Sequence, residues 1–103
     1  MRNKERIENI ENMESIFNEL NLALKDMEKS FKNWKRLLPK FKKLMEYYES
    51  EQWKKDYYDV DNGKLKPKWP HWILGEDAIY DFYWNQRELC EEIIKFTNKV
   101  LKK

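Results

Sequence analysis

Twelve apolar side chains recur at alternating steps of three and four residues along the first half of the chain. They are Ile10, Met13, Phe17, Leu20, Leu24, Met27, Phe31, Trp34, Leu38, Phe41, Met45 and Tyr48. Because an α-helix has 3.6 residues per turn, this spacing keeps all of them on one helical face. The pattern therefore predicts one long amphipathic helix, at about residues 4–49.

Pro39 lies inside this stripe and does not shift its phase. Proline has no amide hydrogen to donate, and its ring crowds the carbonyl group four residues earlier. We expect either a kink at residues 35–39 or a helix end there, followed at once by a second helix. The unbroken phase of the apolar stripe favours the kink.

Two further helices are predicted in the second half of the chain. Residues 50–58 fit a short helix that begins at Ser50, with Trp53 and Tyr57 facing inward and Tyr58 as a further candidate for the inward face. A loop at about residues 59–75 contains the turn signal Asp-Asn-Gly and two prolines. A last helix at about residues 76–101 carries an apolar stripe in which Gln86 is the one polar position: Ile79, Phe82, Gln86, Leu89, Ile93, Phe96 and Val100.

These elements predict an all-α fold in one domain that spans residues 1–103. A long kinked helix folds back through an aromatic loop onto a second long helix, as a helical hairpin or a three-helix bundle. At 1.5 Å per residue the first helix would span roughly 65 Å and the last roughly 40 Å. Because the last helix is too short to cover the whole first stripe, the remainder must be covered by the aromatic segment, by a sharp bend at Pro39 or by another chain. A homodimer through the N-terminal heptads is therefore one hypothesis, and a self-assembling coiled-coil structural protein is a related one.

The residue types needed for common kinds of catalysis are scarce. A single histidine and a single cysteine leave no internal disulfide, zinc site or histidine-based triad within one chain, and no glycine-rich phosphate loop is present. We therefore predict a protein that is not an enzyme, with no catalytic residue, metal or cofactor. The longest stretch without charge is too short for a bilayer, so we expect a cytoplasmic location and no membrane partner.

Charge is patterned along the first helix although the net charge is only +2. Residues 1–28 carry seven acidic and four basic side chains, whereas residues 29–43 carry seven basic ones and no acid. On a helix, five of these form one basic arc opposite the apolar stripe: Lys29, Lys32, Arg36, Lys40 and Lys43. A solvated helix face is the favoured interpretation, and an anion-binding strip for nucleic acid or an acidic protein surface is the alternative.

Eleven of the sixteen aromatic residues fall within residues 47–84. Trp69 and Trp72 flank a proline in the predicted loop, where they would form a rigid docking surface for a partner protein. The partner-binding set comprises Tyr57, Tyr58, Trp69 and Trp72, with Lys64, Lys66 and Lys68 at the rim. For the two indoles alone the favoured interpretation is that they fold down and cap the open end of the helical hairpin. Base stacking is a third interpretation, with the three lysines as its only electrostatic support. The leading functional hypothesis is a protein-binding adaptor, regulator or immunity-type protein.

Three motifs resemble a small bacterial family catalogued as domain of unknown function 4298. They are Tyr47, Tyr48, Ser50, Trp53 and Asp56; Asp59, Asp61, Gly63 and Leu65; and Leu74, Gly75, Glu76, Asp77, Ala78, Ile79 and Tyr80. The resemblance covers nearly the whole chain and implies short helical proteins without known catalysis, cofactor or substrate. Some members look like products of accessory genes, including genes in bacteriocin regions. The resemblance therefore implies an immunity role or a regulatory role that works by binding.

The chain departs from that family pattern at two places. Pro70, His71 and Trp72 stand where the family usually has Lys-Arg-Gly, and Gly75 stands where the last helix usually begins with serine. If the basic loop is the working part of the family, the resemblance implies a changed or lost role here.

Overall fold

A computed structural model describes residues 2–68, 72–75 and 77–102. Helix α1 is Asn3–Tyr48, α2 is Glu51–Asp61 and α3 is Ala78–Leu101, with one turn of 3-10 helix at Trp72–Leu74. The described residues contain no β-strand. The predicted all-α fold class is thus confirmed, and three helices are consistent with a helical hairpin or bundle.

Helix α1 continues through Pro39, which lies inside it. The helix therefore does not end at the proline, and the alternative of two successive helices is wrong. A proline inside a helix removes one backbone hydrogen bond, the one from its own position to the carbonyl group four residues earlier. The helical residues before and after Pro39 keep the remaining backbone hydrogen bonds of α1. The kink at residues 35–39 stays a prediction.

The chain divides into two units, Met1–Phe41 and Lys42–Lys103. The first unit consists of the N-terminal part of α1, whose apolar stripe from Ile10 to Phe31 is exposed. The second unit contains the end of α1, α2, the 3-10 turn and α3. Here the 3-10 turn contacts both α2 and α3. Two side chains of this unit form a small core, Leu74 at 8% exposure and Ile79 at 3%. The single domain stays a prediction.

Helix α2 is one turn longer at its end than the sequence predicts, because it continues to Asp61. The chain leaves the helix at Gly63, whose φ of +83° is a left-handed conformation that glycine adopts without a steric cost. The side chain of Asn62 accepts a 3.3 Å hydrogen bond from the amide of Lys64, and the amide of Leu65 donates to the carbonyl of Asp59 at 2.9 Å. These bonds fix the turn that ends α2.

Helix α3 begins at Ala78, two residues later than predicted. Asp77 stands at its N-cap but makes no hydrogen bond through its side chain, and Glu76 lies outside the described residues. Ile79 is the one buried residue of the α3 stripe, while Phe82 and Phe96 are exposed. Within the described part of the chain, no helix combines the length and hydrophobicity needed to cross a membrane.

Candidate aromatic site on the second helix

Ser50 sets the direction in which α2 leaves the end of α1. It is the N-cap of α2, with an extended backbone (φ −89°, ψ 159°), and its Oγ accepts a 3.3 Å hydrogen bond from the amide of Trp53. The same hydroxyl donates to the carbonyl of Tyr47 at 2.6 Å. The Tyr47 carbonyl also accepts the backbone amide of Ser50 at 3.0 Å. Ser50 therefore satisfies a free amide at the start of α2 and is bonded to the last turn of α1 through both its hydroxyl and its amide.

A second connection between the two helices is polar. The hydroxyl of Tyr47 donates a 2.6 Å hydrogen bond to Oδ2 of Asp56, and Nε2 of Gln52 donates to Oδ1 at 2.8 Å. Both carboxylate oxygens of Asp56 are thus occupied. These hydrogen bonds, first that from Tyr47 and then that from Gln52, lower the pKa of Asp56. Burial raises the pKa of Tyr47 to about 12, with smaller contributions from the hydrogen bond to Asp56 and its negative charge.

Four aromatic rings follow one another across this junction. The rings of Tyr48 and Trp53 meet edge to face with centroids 5.2 Å apart, and Trp53 stacks on Tyr57 at 5.6 Å with an interplanar angle of 22°. Tyr57 in turn meets Tyr58 edge to face at 5.6 Å. Trp53 and Tyr57 stack because residues four apart on a helix are neighbours. Each ring therefore has a defined orientation relative to the next.

These four rings and Lys54 line an open pocket of about 330 Å³, which we call the α2 pocket. The side chain of Tyr58 is 65% exposed, whereas Tyr48, Trp53 and Tyr57 are partly buried. The ammonium group of Lys54 lies 3.5 Å from a carboxylate oxygen of Glu51. Both charged side chains are largely exposed, so this ion pair is weak and leaves the lysine able to exchange partners.

The α2 pocket is also connected to the segment before α3. Nε1 of Trp53 donates a 2.7 Å hydrogen bond to the carbonyl oxygen of Ile73 in the 3-10 turn. The next residue, Leu74, is buried. The tryptophan at the centre of the ring series is therefore held from both sides, by ring contacts and by the backbone of a distant segment.

The structure brings together two of the predicted partner-binding residues, Tyr57 and Tyr58. Lys64, Lys66 and Lys68 are exposed in the segment that follows α2. Trp69 lies outside the described residues, and Trp72 opens the 3-10 turn. The role of all seven residues in binding stays a prediction.

Three residues of the α2 pocket were missing from the predicted set: Tyr48, Trp53 and Lys54. Trp53 and Tyr57 were expected to face inward because of their spacing, and both are partly buried. An inward position for Tyr58 was wrong, because this side chain is 65% exposed. Ser50 as the cap of α2 was the available signal that the helical path is interrupted between Tyr48 and Trp53.

The predicted basic arc is exposed in both units. Lys29, Lys32, Arg36 and Lys40 are exposed in the first unit, and Lys43 is exposed in the second. Nη2 of Arg36 donates a 2.9 Å hydrogen bond to Oδ1 of Asn33. These side chains are available to solvent and to anions alike, so the two interpretations of the arc both stay open.

The functional groups that line the α2 pocket are aromatic rings, phenol hydroxyl groups and one ammonium group. Such a set can bind apolar, aromatic or cationic groups through the ring faces and an anionic or carbonyl oxygen through Lys54. Among the described residues, no group of three histidine, cysteine or acidic side chains is arranged to hold a metal ion.

Comparison with known proteins gives one match. No curated protein and no solved structure matches the sequence. The family model described as "Domain of unknown function (DUF4298)" matches residues 10–96, which is most of the chain and includes every residue of the α2 pocket. The chain therefore belongs to the DUF4298 family.

Proposed function

We propose that this chain is a small protein-binding module of the cytosol that works without catalysis. Its partner would insert an apolar or aromatic side chain into the α2 pocket. The observation that carries this proposal is the pocket itself, in which four aromatic rings and Lys54 surround about 330 Å³ of open space. Aromatic residues in such positions contribute much of the binding energy at protein interfaces.

The fixed geometry of the pocket supports binding rather than a purely structural role for the rings. Ser50 caps α2, Trp53 is held by the carbonyl of Ile73, and Tyr47 is held by Asp56. Rings that are oriented before binding lose little conformational entropy when a partner arrives. Tyr58 is the ring with the greatest exposure, so it offers the most new contact area.

Lysine side chains supply the polar rim of the proposed interface. Lys54 lines the α2 pocket, and Lys64, Lys66 and Lys68 are exposed just after α2. A rim of this kind affects the rate of association and the choice of partner more than it affects affinity. We place Trp69 and Trp72 in the same proposed interface on the strength of their sequence position alone.

The proposal is tested by recovering the partner from a lysate of the native host and then measuring its affinity. The full chain serves as the bait, and the lysate is used both with and without nuclease treatment. We expect a protein recovered in stoichiometric amounts that survives the nuclease. Tyr58→Ala should weaken its binding about tenfold or more, which corresponds to ~1.4 kcal/mol or more.

A matched control separates binding from stability. Tyr80 is also an exposed tyrosine, at 54%, but it lies on α3 against Trp84 and does not line the α2 pocket. Tyr80→Ala should leave the affinity unchanged, and both variants should keep the helicity and Tm of the parent protein. Equal affinity losses for the two variants would overturn the proposal.

Recovery of nuclease-sensitive material alone would also overturn it, in favour of the basic arc of α1. In that event binding should fall steeply as salt is added, because cationic side chains release counterions from the phosphate backbone. Reversing the charge of Lys32 and Arg36 should then abolish binding, whereas Tyr58→Ala should not change it.

A further inference from the structure

Eight members of the α1 stripe are strongly exposed in the first unit. Their side chains are between 47% and 65% exposed: Ile10, Met13, Phe17, Leu20, Leu24, Met27, Phe31 and Leu38. In the described residues of this unit, α1 is the single element. An amphipathic helix in water gains most of its stability from packing its apolar face. This face therefore has the composition of an interface.

The charges beside the stripe indicate which partner fits it. The charged residues on the flank of the stripe are acidic up to residue 28 and basic after it: Glu14, Glu28, Lys35 and Lys42. In two antiparallel copies this flank faces the same flank of the second copy, so the acidic part of each helix lies beside the basic part of the other. In two parallel copies it faces the opposite flank, whose residues carry no charge. Opposite charges beside the apolar stripe therefore favour the antiparallel orientation.

We propose that α1 is a self-association surface, on which a second copy of this chain binds in the antiparallel direction. The stripe residues form the line of contact between the two copies, which we call the seam. Their steps of three and four residues are those of a coiled-coil heptad, in which successive side chains pack in layers against the facing helix. A register centred between Leu24 and Met27 places those two side chains opposite each other across the two copies. The same register pairs Leu20 with Phe31 and Met13 with Leu38.

One flanking pair in this register is open to a direct test. Glu14 and Lys35 directly follow Met13 and Trp34, which occupy the same heptad position, so both lie on the same flank of α1. In the antiparallel register, Glu14 of one copy and Lys35 of the other lie within one helical turn. In a single α1 helix they are 21 residues apart, about 30 Å at 1.5 Å per residue. A strong energetic coupling between them therefore requires the second copy or another contact outside α1.

The oligomeric state of the full chain is the first measurement, by sedimentation equilibrium from low to high micromolar concentration. A concentration-dependent dimer is expected. Leu20→Glu should raise its dissociation constant about tenfold or more, because a carboxylate in the seam is costly to bury. Leu22 is equally exposed, at 65% against 63% for Leu20, but it lies off the stripe. Leu22→Glu should therefore leave the dissociation constant unchanged.

Charge reversal tests the direction of pairing without disturbing the apolar seam. Glu14→Lys and Lys35→Glu should each weaken the dimer, and the double variant should restore it, because the opposite charges then face each other again. Glu11→Lys serves as the control, since Glu11 lies away from the seam. Circular dichroism confirms that each variant keeps its helicity.

Two results would overturn the proposal. A monomer at every concentration would mean that the stripe has no second copy as its partner. A dimer that the double charge reversal fails to restore would exclude this antiparallel register. Neither result affects the α2 pocket, because its lining residues lie outside the first unit.

Discussion

The indole Nε1 of Trp53 donates a 2.7 Å hydrogen bond to the carbonyl oxygen of Ile73, twenty residues further along the chain. Trp53 is also the ring that contacts both Tyr48 and Tyr57. One side chain thus orders the α2 pocket and holds the segment that leads into α3. The residue after Ile73, Leu74, belongs to the small core of this unit.

Trp53→Phe should lower the free energy of unfolding by about 1 kcal/mol, the usual net value of one hydrogen bond, with a further loss from the smaller ring. Amide hydrogen exchange should become faster at Leu74 and Ile79, because their segment loses its connection to α2. Trp84→Phe is the control, since Trp84 is exposed on α3 and packs against Tyr80 and Tyr83. Unchanged exchange at Leu74 in Trp53→Phe would contradict this role.

Tyr47→Phe should change how stability depends on pH. Because the pKa of Tyr47 is raised from 10.0 to about 12, its contribution is complete below pH 10 and is lost as the pH rises to about 12. The pKa of Asp56 is lowered from 3.8, so its contribution is complete above that value and is lost as the pH falls below it. Tm measured across the pH range should therefore fall at both ends in the parent protein.

In Tyr47→Phe both of these slopes should be smaller, and Tm at neutral pH should be a few degrees lower. Tyr80→Phe removes an exposed hydroxyl elsewhere and should reproduce the parent curve. Equal alkaline slopes in the parent and in Tyr47→Phe would contradict the raised pKa of Tyr47. Equal acid slopes would show that the hydrogen bond to Asp56 has no energetic role.

Ser50→Ala should destabilise the protein by about 1 kcal/mol, because α2 loses the acceptor at its N-cap. Ser50→Asp keeps an acceptor side chain at this position and should retain most of the stability in urea unfolding. Ser30→Ala, in the interior of α1, removes the same hydroxyl without removing a cap and should be neutral or slightly stabilising. A neutral Ser50→Ala would contradict the capping role.

Gly63→Ala should cost about 1–2 kcal/mol, because an L-residue resists the left-handed conformation that ends α2. A Cβ atom built at Gly63 meets no heavy atom within 4 Å, so the whole cost comes from the backbone. A chemically synthesised chain with D-alanine at position 63 should therefore be as stable as the parent protein or more stable. A destabilising D-alanine would show that a steric contact decides the cost.

The sequence predicted the helices well and their ends less well. The unbroken three-four spacing favoured a kinked helix over a helix end at Pro39, and α1 does continue through the proline. The end of α2 was placed one turn early, because Asp59 and Asp61 belong to turn-forming residue types. In the folded chain these aspartates stay helical, and Asn62 and Gly63 form the turn instead.

The α2 pocket was predicted only in part. Tyr57 and Tyr58 were selected because aromatic residues are dense in this region. The place of Tyr48 in the pocket lining depends on the break between α1 and α2 at the N-cap Ser50. The place of Trp53 depends on its hydrogen bond to Ile73. Both depend on a tertiary arrangement that no periodicity in one segment encodes.

The central claim is that the α2 pocket binds a partner protein, and site-specific photo-crosslinking tests it most directly. A photoreactive phenylalanine analogue replaces Tyr58 in one variant of the full chain and Tyr80 in another, and both are activated in the native host. We expect one discrete, nuclease-resistant cross-linked protein from position 58 and none from position 80. The same cross-linked proteins from both positions, or none from either, would contradict the claim.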